Sequence, residues 1–188
     1  MKNLIVFSSP SGGGKSTIVK MLLDEFPKLK LSTSATTRSP REGEIDGKHY
    51  HFLKQADFKT MIDTDKLIEW EEIFCNYYGT PKTELTLAES EGKCLIFDID
   101  VKGAVSIKTK FPDNSLLIFI APPSIEELMR RLKGRNTETD EQINKRMLRT
   151  EFEMSFAEEF DYIVINDNLD NAYNEVKDLL KKETQCVE

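Results

Sequence analysis

Leu4-Ile5-Val6-Phe7-Ser8-Ser9-Pro10-Ser11-Gly12-Gly13-Gly14-Lys15-Ser16-Thr17 is the stretch from which the rest of the chain can be read. Four apolar, β-favouring residues end in a Ser/Pro/Gly turn, and over 17–26 apolar residues then recur at helical spacing: Ile18, Met21 and Leu22, flanked by Val19 and Leu23. The order is strand, glycine loop, helix. In that setting Ser11-Gly12-Gly13-Gly14-Lys15-Ser16-Thr17 has the chemistry of a phosphate-binding loop. Glycines let backbone N–H groups converge on an anion, and the helix N-terminus adds about half a positive charge. Lys15 can reach the β and γ phosphates of a nucleotide, and the Ser16 hydroxyl can ligate Mg²⁺. Ser9 stands where the pattern has its first glycine. It costs little if its φ is negative, and on the order of a kcal/mol if φ is positive.

The same buried-strand signature recurs at 94–97, 116–120 and 162–165, each followed by a helical pattern. Repetition of strand and helix predicts a parallel sheet wrapped by helices on both faces, an α/β core. The strand at 94–97 runs into Asp98-Ile99-Asp100. An acid at the carboxyl end of a strand beside the phosphate loop is placed to hold Mg²⁺ through water, the role assigned to Asp98. Asp100 suits that role and the capping of a helix over 101–110 equally well.

Two stretches differ in character. From 33 to about 92, alternation such as Tyr50-His51-Phe52 and Leu67-Ile68-Glu69-Trp70-Glu71 predicts small antiparallel strands, a helix over 55–62 and another beginning at Pro81, an inserted α+β lobe with Trp70 in its core. From 124 to about 159 the sequence is helical and strongly charged, with a break at Gly134-Arg135-Asn136-Thr137 that divides a hairpin of two helices, a flap over the core.

Composition narrows the partners. At 188 residues and 39% apolar, the chain can bury one sizeable core, and no repeat or low-complexity tract divides it. Twenty-six basic against 33 acidic residues give a net charge of -7, the opposite of the footprint for polymeric nucleic acid or an anionic membrane. An anionic ligand must therefore meet locally clustered cations. Three widely spaced cysteines, Cys75, Cys94 and Cys186, suggest neither a disulfide framework nor a thiolate metal site, and a reducing cytoplasm suits them. No apolar run approaches the ~18 residues of a membrane span. His49 and His51 lack a carboxylate or Cys partner at metal spacing and read as structural, while Arg130 and Arg149 read as surface ion pairs.

Ser34-Ala35-Thr36-Thr37-Arg38-Ser39-Pro40-Arg41-Glu42-Gly43-Glu44 sets two arginines three residues apart among turn formers, a seat for a second phosphorylated ligand. Together with Lys48-His49-Tyr50, Glu69-Trp70 and Asn76-Tyr77-Tyr78-Gly79-Thr80, it resembles the acceptor-binding lobe of guanylate kinases. The resemblance continues through the phosphate loop, Asp98-Ile99-Asp100, Arg131-Leu132-Lys133-Gly134-Arg135 with Thr137-Glu138, Asn144-Lys145-Arg146, and Phe160-Asp161-Tyr162 to Asn166-Asp167. It implies a single P-loop domain with a five-stranded parallel core (1–32, 93–123 and 160–188), a GMP-binding lobe (33–92) and a lid (124–159). The implied reaction is transfer of the γ-phosphate of ATP to GMP with Mg²⁺, in purine nucleotide metabolism, by a cytoplasmic monomer or weak homo-oligomer.

By the same resemblance, Ser8 through Thr17 (Ser8, Ser9, Pro10, Ser11, Gly12, Gly13, Gly14, Lys15, Ser16, Thr17) and Asn166 contact ATP. Arg38, Arg41, Tyr50 and Tyr78 grip the GMP phosphate, Ser34, Glu69 and Thr80 read guanine, and Glu44 and Asp100 lie nearby. Lys15, Arg131, Arg135 and Arg146 meet the transferred phosphoryl group, and Ser16 and Asp98 hold the metal. Ser9 and Thr150, the latter for the small residue usual after the lid, depart from the family pattern. Phosphoryl transfer asks mainly for in-line positioning and positive charge, which suits a chain without an obligatory nucleophile. A non-catalytic module that binds a phosphorylated peptide at the acceptor site, and a kinase for another nucleoside monophosphate, are the competing readings. Nucleotide saturation separates the first, and a four-base acceptor panel the second.

Overall fold

The structure, a computed structural model, describes residues 1–133 and 140–187, with side chains described for 1–130 and 147–187. Strand β1 (Leu4–Ser8) runs through the glycine loop into α1 (Lys15–Glu25), followed by β2 (Leu29–Leu31). Next come β3 (Ala35–Thr36), β4 (His51–Phe52), α2 (Gln55–Asp63), β5 (Leu67–Ile73), β6 (Asn76–Pro81) and α3 (Lys82–Ser90). The chain then forms β7 (Cys94–Asp98), α4 (Val101–Lys110), β8 (Ser115–Ala121), α5 (Ile125–Lys133), α6 (Asp140–Met154), a 3₁₀ turn (Ala157–Glu159), β9 (Tyr162–Ile165) and α7 (Leu169–Glu183).

The main sheet has the order β2-β7-β1-β8-β9, and every neighbouring pair is parallel. Its two faces divide the apolar residues by alternation. Ile5, Phe7, Ile96, Ile118 and Ile120 pack with Ile18 and Leu22 of α1 and Val176 and Leu180 of α7. Leu4, Val6, Leu95, Phe97, Leu117 and Phe119 pack with Val101, Ala104 and Ile107 of α4. Burial on both sides is why these strands read as continuous apolar runs. The chain crosses from β7 to β8 over β1, so strand order reverses around β1 and a crevice opens at its carboxyl end, where such sheets bind ligands. At the far edge, the Asp161 carboxylate accepts from Leu117 N–H at 2.9 Å and from Lys108, tying β9 to β8.

A second sheet, β4-β3-β6-β5, lies between α1 and β7 in sequence. β3–β6 and β5–β6 are antiparallel, but β3 and β4 pair in parallel, unlike the antiparallel strands predicted: the long intervening segment brings the chain back in the same direction. A register shift between Leu67 and Glu69 also breaks the alternation of β5. Leu67, Ile68 and Glu69 are therefore all buried, and Trp70 is 43% exposed instead of filling the lobe's core. Phe58 fills it, stacked on Tyr77 beside Ala35 and Leu67. Helix α3 begins at Lys82, with Pro81 as its N-cap at the end of β6, one residue later than predicted.

Cys94 and Cys186 form a disulfide, contrary to the reading of the cysteines from their spacing. They are 92 positions apart in sequence, so spacing carries no signal. The fold brings the first residue of β7 against the tail after α7, and both cysteines are buried in the core that α1 and α7 share. Cys75 is free and exposed. Closing so long a loop restricts the unfolded chain by about 4.6 kcal/mol in the chain-entropy account. Reduction is thus expected to lower the melting temperature by roughly 10 °C. Cys186→Ser should reproduce that loss without reductant and Cys75→Ser should not. Melting curves that coincide with and without reductant would rule the tether out as a stabilising element. Among the described residues, no helix is long and apolar enough to cross a membrane.

Candidate active site

The glycine loop occupies the crevice at the end of β1. Gly14 caps α1 with φ 93°, and a Cβ there would come within 2.1 Å of the Asn166 amide nitrogen, so both backbone and space require glycine. Asn166, at the end of β9 and buried, donates to the Gly13 carbonyl at 2.8 Å and fixes the loop to the sheet. Ser9 is not among the residues with left-handed φ, which among the described non-glycine residues are Asp65, Phe74 and Cys75, so the serine introduces no strain of that kind. Ser8 is buried, and its hydroxyl has no hydrogen-bond partner.

Lys15 and Ser16 turn toward the carboxyl end of β7. The Lys15 ammonium pairs with Asp98 and donates to the Ile99 carbonyl at 3.2 Å, while the Ser16 hydroxyl donates to Asp98 Oδ2 at 3.0 Å. A hydroxyl and a carboxylate held together beside a phosphate loop form the hard-oxygen donor set that suits Mg²⁺. Asp100 caps α4, its Oδ1 accepting from Gly103 N–H at 2.9 Å, and it also lines the cleft. Of the two roles open to it from sequence, capping is therefore occupied, and its other oxygen stays on the cleft side.

The cleft, of about 420 Å³, joins this phosphate end to the second sheet. Ser34, Tyr50, Glu69 and Tyr78 line it together with Ser9 to Gly12, Gly14 to Thr17, Asp98 and Asp100. Glu69 is 4% exposed. Thr80 donates to its Oε1 at 2.7 Å, and the Ser34 and Thr80 hydroxyls are 3.4 Å apart, so the three predicted base readers form one polar chain with Thr80 behind Glu69. A Cβ on Gly103 would meet Glu69 Oε2 at 2.8 Å, so glycine there lets the carboxylate lie against the first turn of α4. Burial pushes the Glu69 carboxyl up to about 7; the Thr80 hydrogen bond opposes the rise and the charge of Asp100 adds to it.

Arg38, Arg41 and Glu44 stand differently. Arg38 donates to both oxygens of Glu44, at 2.7 and 2.8 Å, and its guanidinium lies 5.0 Å from the Tyr50 ring centre. Arg41 donates its backbone N–H to the same carboxylate. These bonds from Arg38 and from the Arg41 backbone hold the Glu44 carboxyl down to about 2. None of the three lines the cleft, although Arg38 abuts it through Tyr50. His49 Nδ1 accepts from Ile45 N–H at 3.0 Å, a structural bond inside its own loop. Arg131, Arg135, Arg146 and the 134–137 break lie outside the described side chains.

Sequence reasoning did not single out Glu71, Ile73, Ile99 or Glu153 as cleft residues. For Glu71 a signal existed, since it shares a strand face with Glu69. For Glu153 the i, i+4 spacing from Arg149 reads as an ordinary helix-surface pair. Thr150 is also buried, with a hydroxyl that has no hydrogen-bond partner.

The family model described as "Guanylate kinase" matches residues 1–183. A guanylate kinase of Chlorobium chlorochromatii (strain CaD3) is 51% identical over 176 residues, covering 93% of this chain and 92% of that protein. One of Chlorobium luteolum is 47% identical over 173 residues, covering 92% and 88%. A crystal structure of guanylate kinase from Anaplasma phagocytophilum superposes with a TM-score of 0.79 at 31% identity, covering 98% of this chain and 87% of that one. Likeness at this level over nearly the whole length means that the chain belongs to the guanylate kinase family, ATP:GMP phosphotransferases built on a P-loop core.

Proposed function

We propose that the cleft holds both substrates of this transfer, ATP on the glycine loop and GMP between the loop and the second sheet. The observation that carries the assignment is Glu69, a buried carboxylate on the cleft wall, backed by Thr80 and Ser34 and lining the same cleft as Lys15, Ser16 and Asp98. Guanine offers N1–H and an exocyclic amine side by side, two donors that one ionised carboxylate accepts together. The triphosphate lies along the loop from Ser8 to Thr17, on backbone N–H groups other than those of Gly13 and Thr17, which bond within the loop (Pro10 has none), with Lys15 supplying charge where the transferred group passes. Asn166 serves ATP by holding the Gly13 carbonyl and contacting adenine. Ser16 and, through water, Asp98 would hold Mg²⁺, which supplies charge neutralisation at the phosphate oxygens when bound.

Tyr50 and Tyr78, whose rings meet edge to face at 6.3 Å, take the GMP phosphate with Arg38 and Arg41, for which Arg38 must exchange part of its hold on Glu44. Asp100 lies at the guanine end, and Arg131, Arg135 and Arg146 bring the remaining positive charge. The division into a core (1–32, 93–123, 160–188), a GMP lobe (33–92) and a lid (124–159) follows from these roles. A monomer or weak homo-oligomer in the cytoplasm, where both nucleotides are made and used, completes the proposal; a reducing cytoplasm would hold the Cys94–Cys186 pair as thiols, so the disulfide does not support that compartment. A coupled ADP-release assay with GMP, AMP, CMP and UMP tests it. GMP should be preferred by at least about tenfold over each of the others; equal turnover of AMP would remove Glu69 from base recognition.

A further inference from the structure

Among the described residues, the cleft lining carries more negative charge than a site for anions should. Glu69, Glu71, Asp98, Asp100 and Glu153 line it, against one lining ammonium among the described residues, Lys15. Cations pair with four of these five. Lys15 pairs with Asp98, and Lys102 on α4 reaches Glu71 at 2.8 Å. Arg149, on α6, serves the other two: its Nε donates to Glu153 Oε1 at 2.8 Å, and its Nη2 lies 3.6 Å from Asp100 Oδ2. The same guanidinium sits 5.4 Å from the centre of the Phe74 ring at the tip of the β5–β6 hairpin. One side chain thus touches the helix that carries it, the second sheet and the core.

Its two carboxylates are not ordinary surface partners. Glu153 is 6% exposed, its Oε2 has no hydrogen-bond partner, and burial pushes its carboxyl upward against the pull of Arg149. Asp100 spends Oδ1 on the α4 cap, which leaves Oδ2 to Arg149. We propose that Arg149 is a positioning residue for the acceptor: braced on Glu153 and Phe74, it holds Asp100 in place and cancels its charge, so that the GMP dianion enters a cleft closer to neutral. The inference rests on the reading of this cleft as the GMP site. Like-charge repulsion between close groups acts strongly in a partly desolvated cleft and is only partly screened by salt, so the effect falls on acceptor binding rather than on the reacting atoms.

Steady-state kinetics at saturating ATP test it, with wild type, Arg149→Met, Arg149→Gln, Arg149→Lys, Arg130→Ala and Glu69→Gln compared. Arg130 is the control, since it stands on α5, exposed and paired with Glu127. Arg149→Met and Arg149→Gln should each raise KM for GMP by about tenfold while kcat stays within about threefold and KM for ATP is unchanged. Arg149→Lys should recover most of the affinity, because the charge is kept, and Arg130→Ala should match wild type. The proposal falls if KM for GMP moves by less than about twofold, or if the lysine variant is as impaired as the methionine one. It falls also if kcat and both KM values worsen together with the melting temperature, since Arg149 would then be a structural brace; Arg149→Gln keeps the comparison open should the methionine variant not fold. If Glu69→Gln loses guanine preference while the Arg149 variants behave as wild type, the acceptor site stands and this role alone is lost. If Glu69→Gln is without effect too, the reading of the site fails first and takes this role with it.

Discussion

Lys15→Met should lower kcat on the order of 10³-fold or more while leaving the protein folded. The expectation rests on what the side chain does and does not hold. Lys15 is the first residue of α1, and that helix is anchored by Ile18, Val19 and Leu22, all fully or almost fully buried, and not by the ammonium. The loop geometry around Gly14 is backbone geometry and is secured from outside by Asn166. What the ammonium holds is Asp98 and the Ile99 carbonyl, at the point where the phosphate loop meets the end of β7. Asp98 keeps the Ser16 hydroxyl when Lys15 is lost and is partly exposed, so the stability cost is about 1 kcal/mol or less. Methionine matches the length and apolar stem of lysine and removes only the charge. Single-turnover transfer measured beside a thermal melt separates the two effects: a kcat within about tenfold of wild type would remove Lys15 from the transfer step, and a lost melting transition would show that it had been structural.

How far the sequence exposes the fold depends on how local the cause is. β1, β7 and β8 are legible because each is buried on both faces, β9 only as an apolar run, since Ile163 and Ile165 are exposed at the sheet edge, and α4 because Asp100 marks its start. β2 is not: Leu29-Lys30-Leu31 is three residues at the sheet edge with a lysine in its centre, and only the family resemblance implied a fifth strand. The disulfide, the bulge that turns Trp70 outward and the parallel pairing of β4 arise from long-range packing, which no local period records. At the site, the phosphate loop and Asp98 could be placed by chemistry alone, since strand, loop and helix are contiguous. Arg149 and Glu153 could not, because their spacing is that of a surface pair and only the fold brings α6 over the cleft. The hold of Glu44 on Arg38 was equally hidden, although the two are only six residues apart, because the loop between them must turn back for the pair to form.

Glu69→Gln should reduce kcat/KM for GMP by at least about tenfold and narrow the preference for GMP over AMP, while making the ligand-free protein more stable at alkaline pH. The two halves have one cause. In the folded chain, burial lifts the Glu69 carboxyl from an ordinary 4.5 to about 7, a difference worth about 3 kcal/mol. A raised carboxyl binds its proton more tightly folded than unfolded, so stability falls as pH rises from about 4.5 to about 7, and the whole penalty is present above 7. Glutamine matches the protonated shape and never ionises. The variant should therefore melt several degrees above wild type at about pH 8 and close to it at about pH 5. The charge that costs stability is the one guanine needs: ionised, Glu69 accepts from N1–H and the exocyclic amine, whereas adenine would face it lone pair to lone pair. Acceptor kcat/KM should then fall as pH drops through about 7, superimposed on the titration of the GMP phosphate near 6. That phosphate titrates identically in both proteins, so the ratio of wild-type to variant kcat/KM isolates Glu69 and should collapse toward acid pH. Glu71→Gln serves as the contrast, for Glu71 is paired with Lys102 and lies nearer to solvent; it should leave the GMP to AMP ratio unchanged. A ratio of wild type to Glu69→Gln that stays flat from about pH 5 to 8, with no gain in melting temperature, would mean that the carboxylate neither ionises in this range nor reads the base, and recognition of guanine would have to be sought in Ser34 and Thr80.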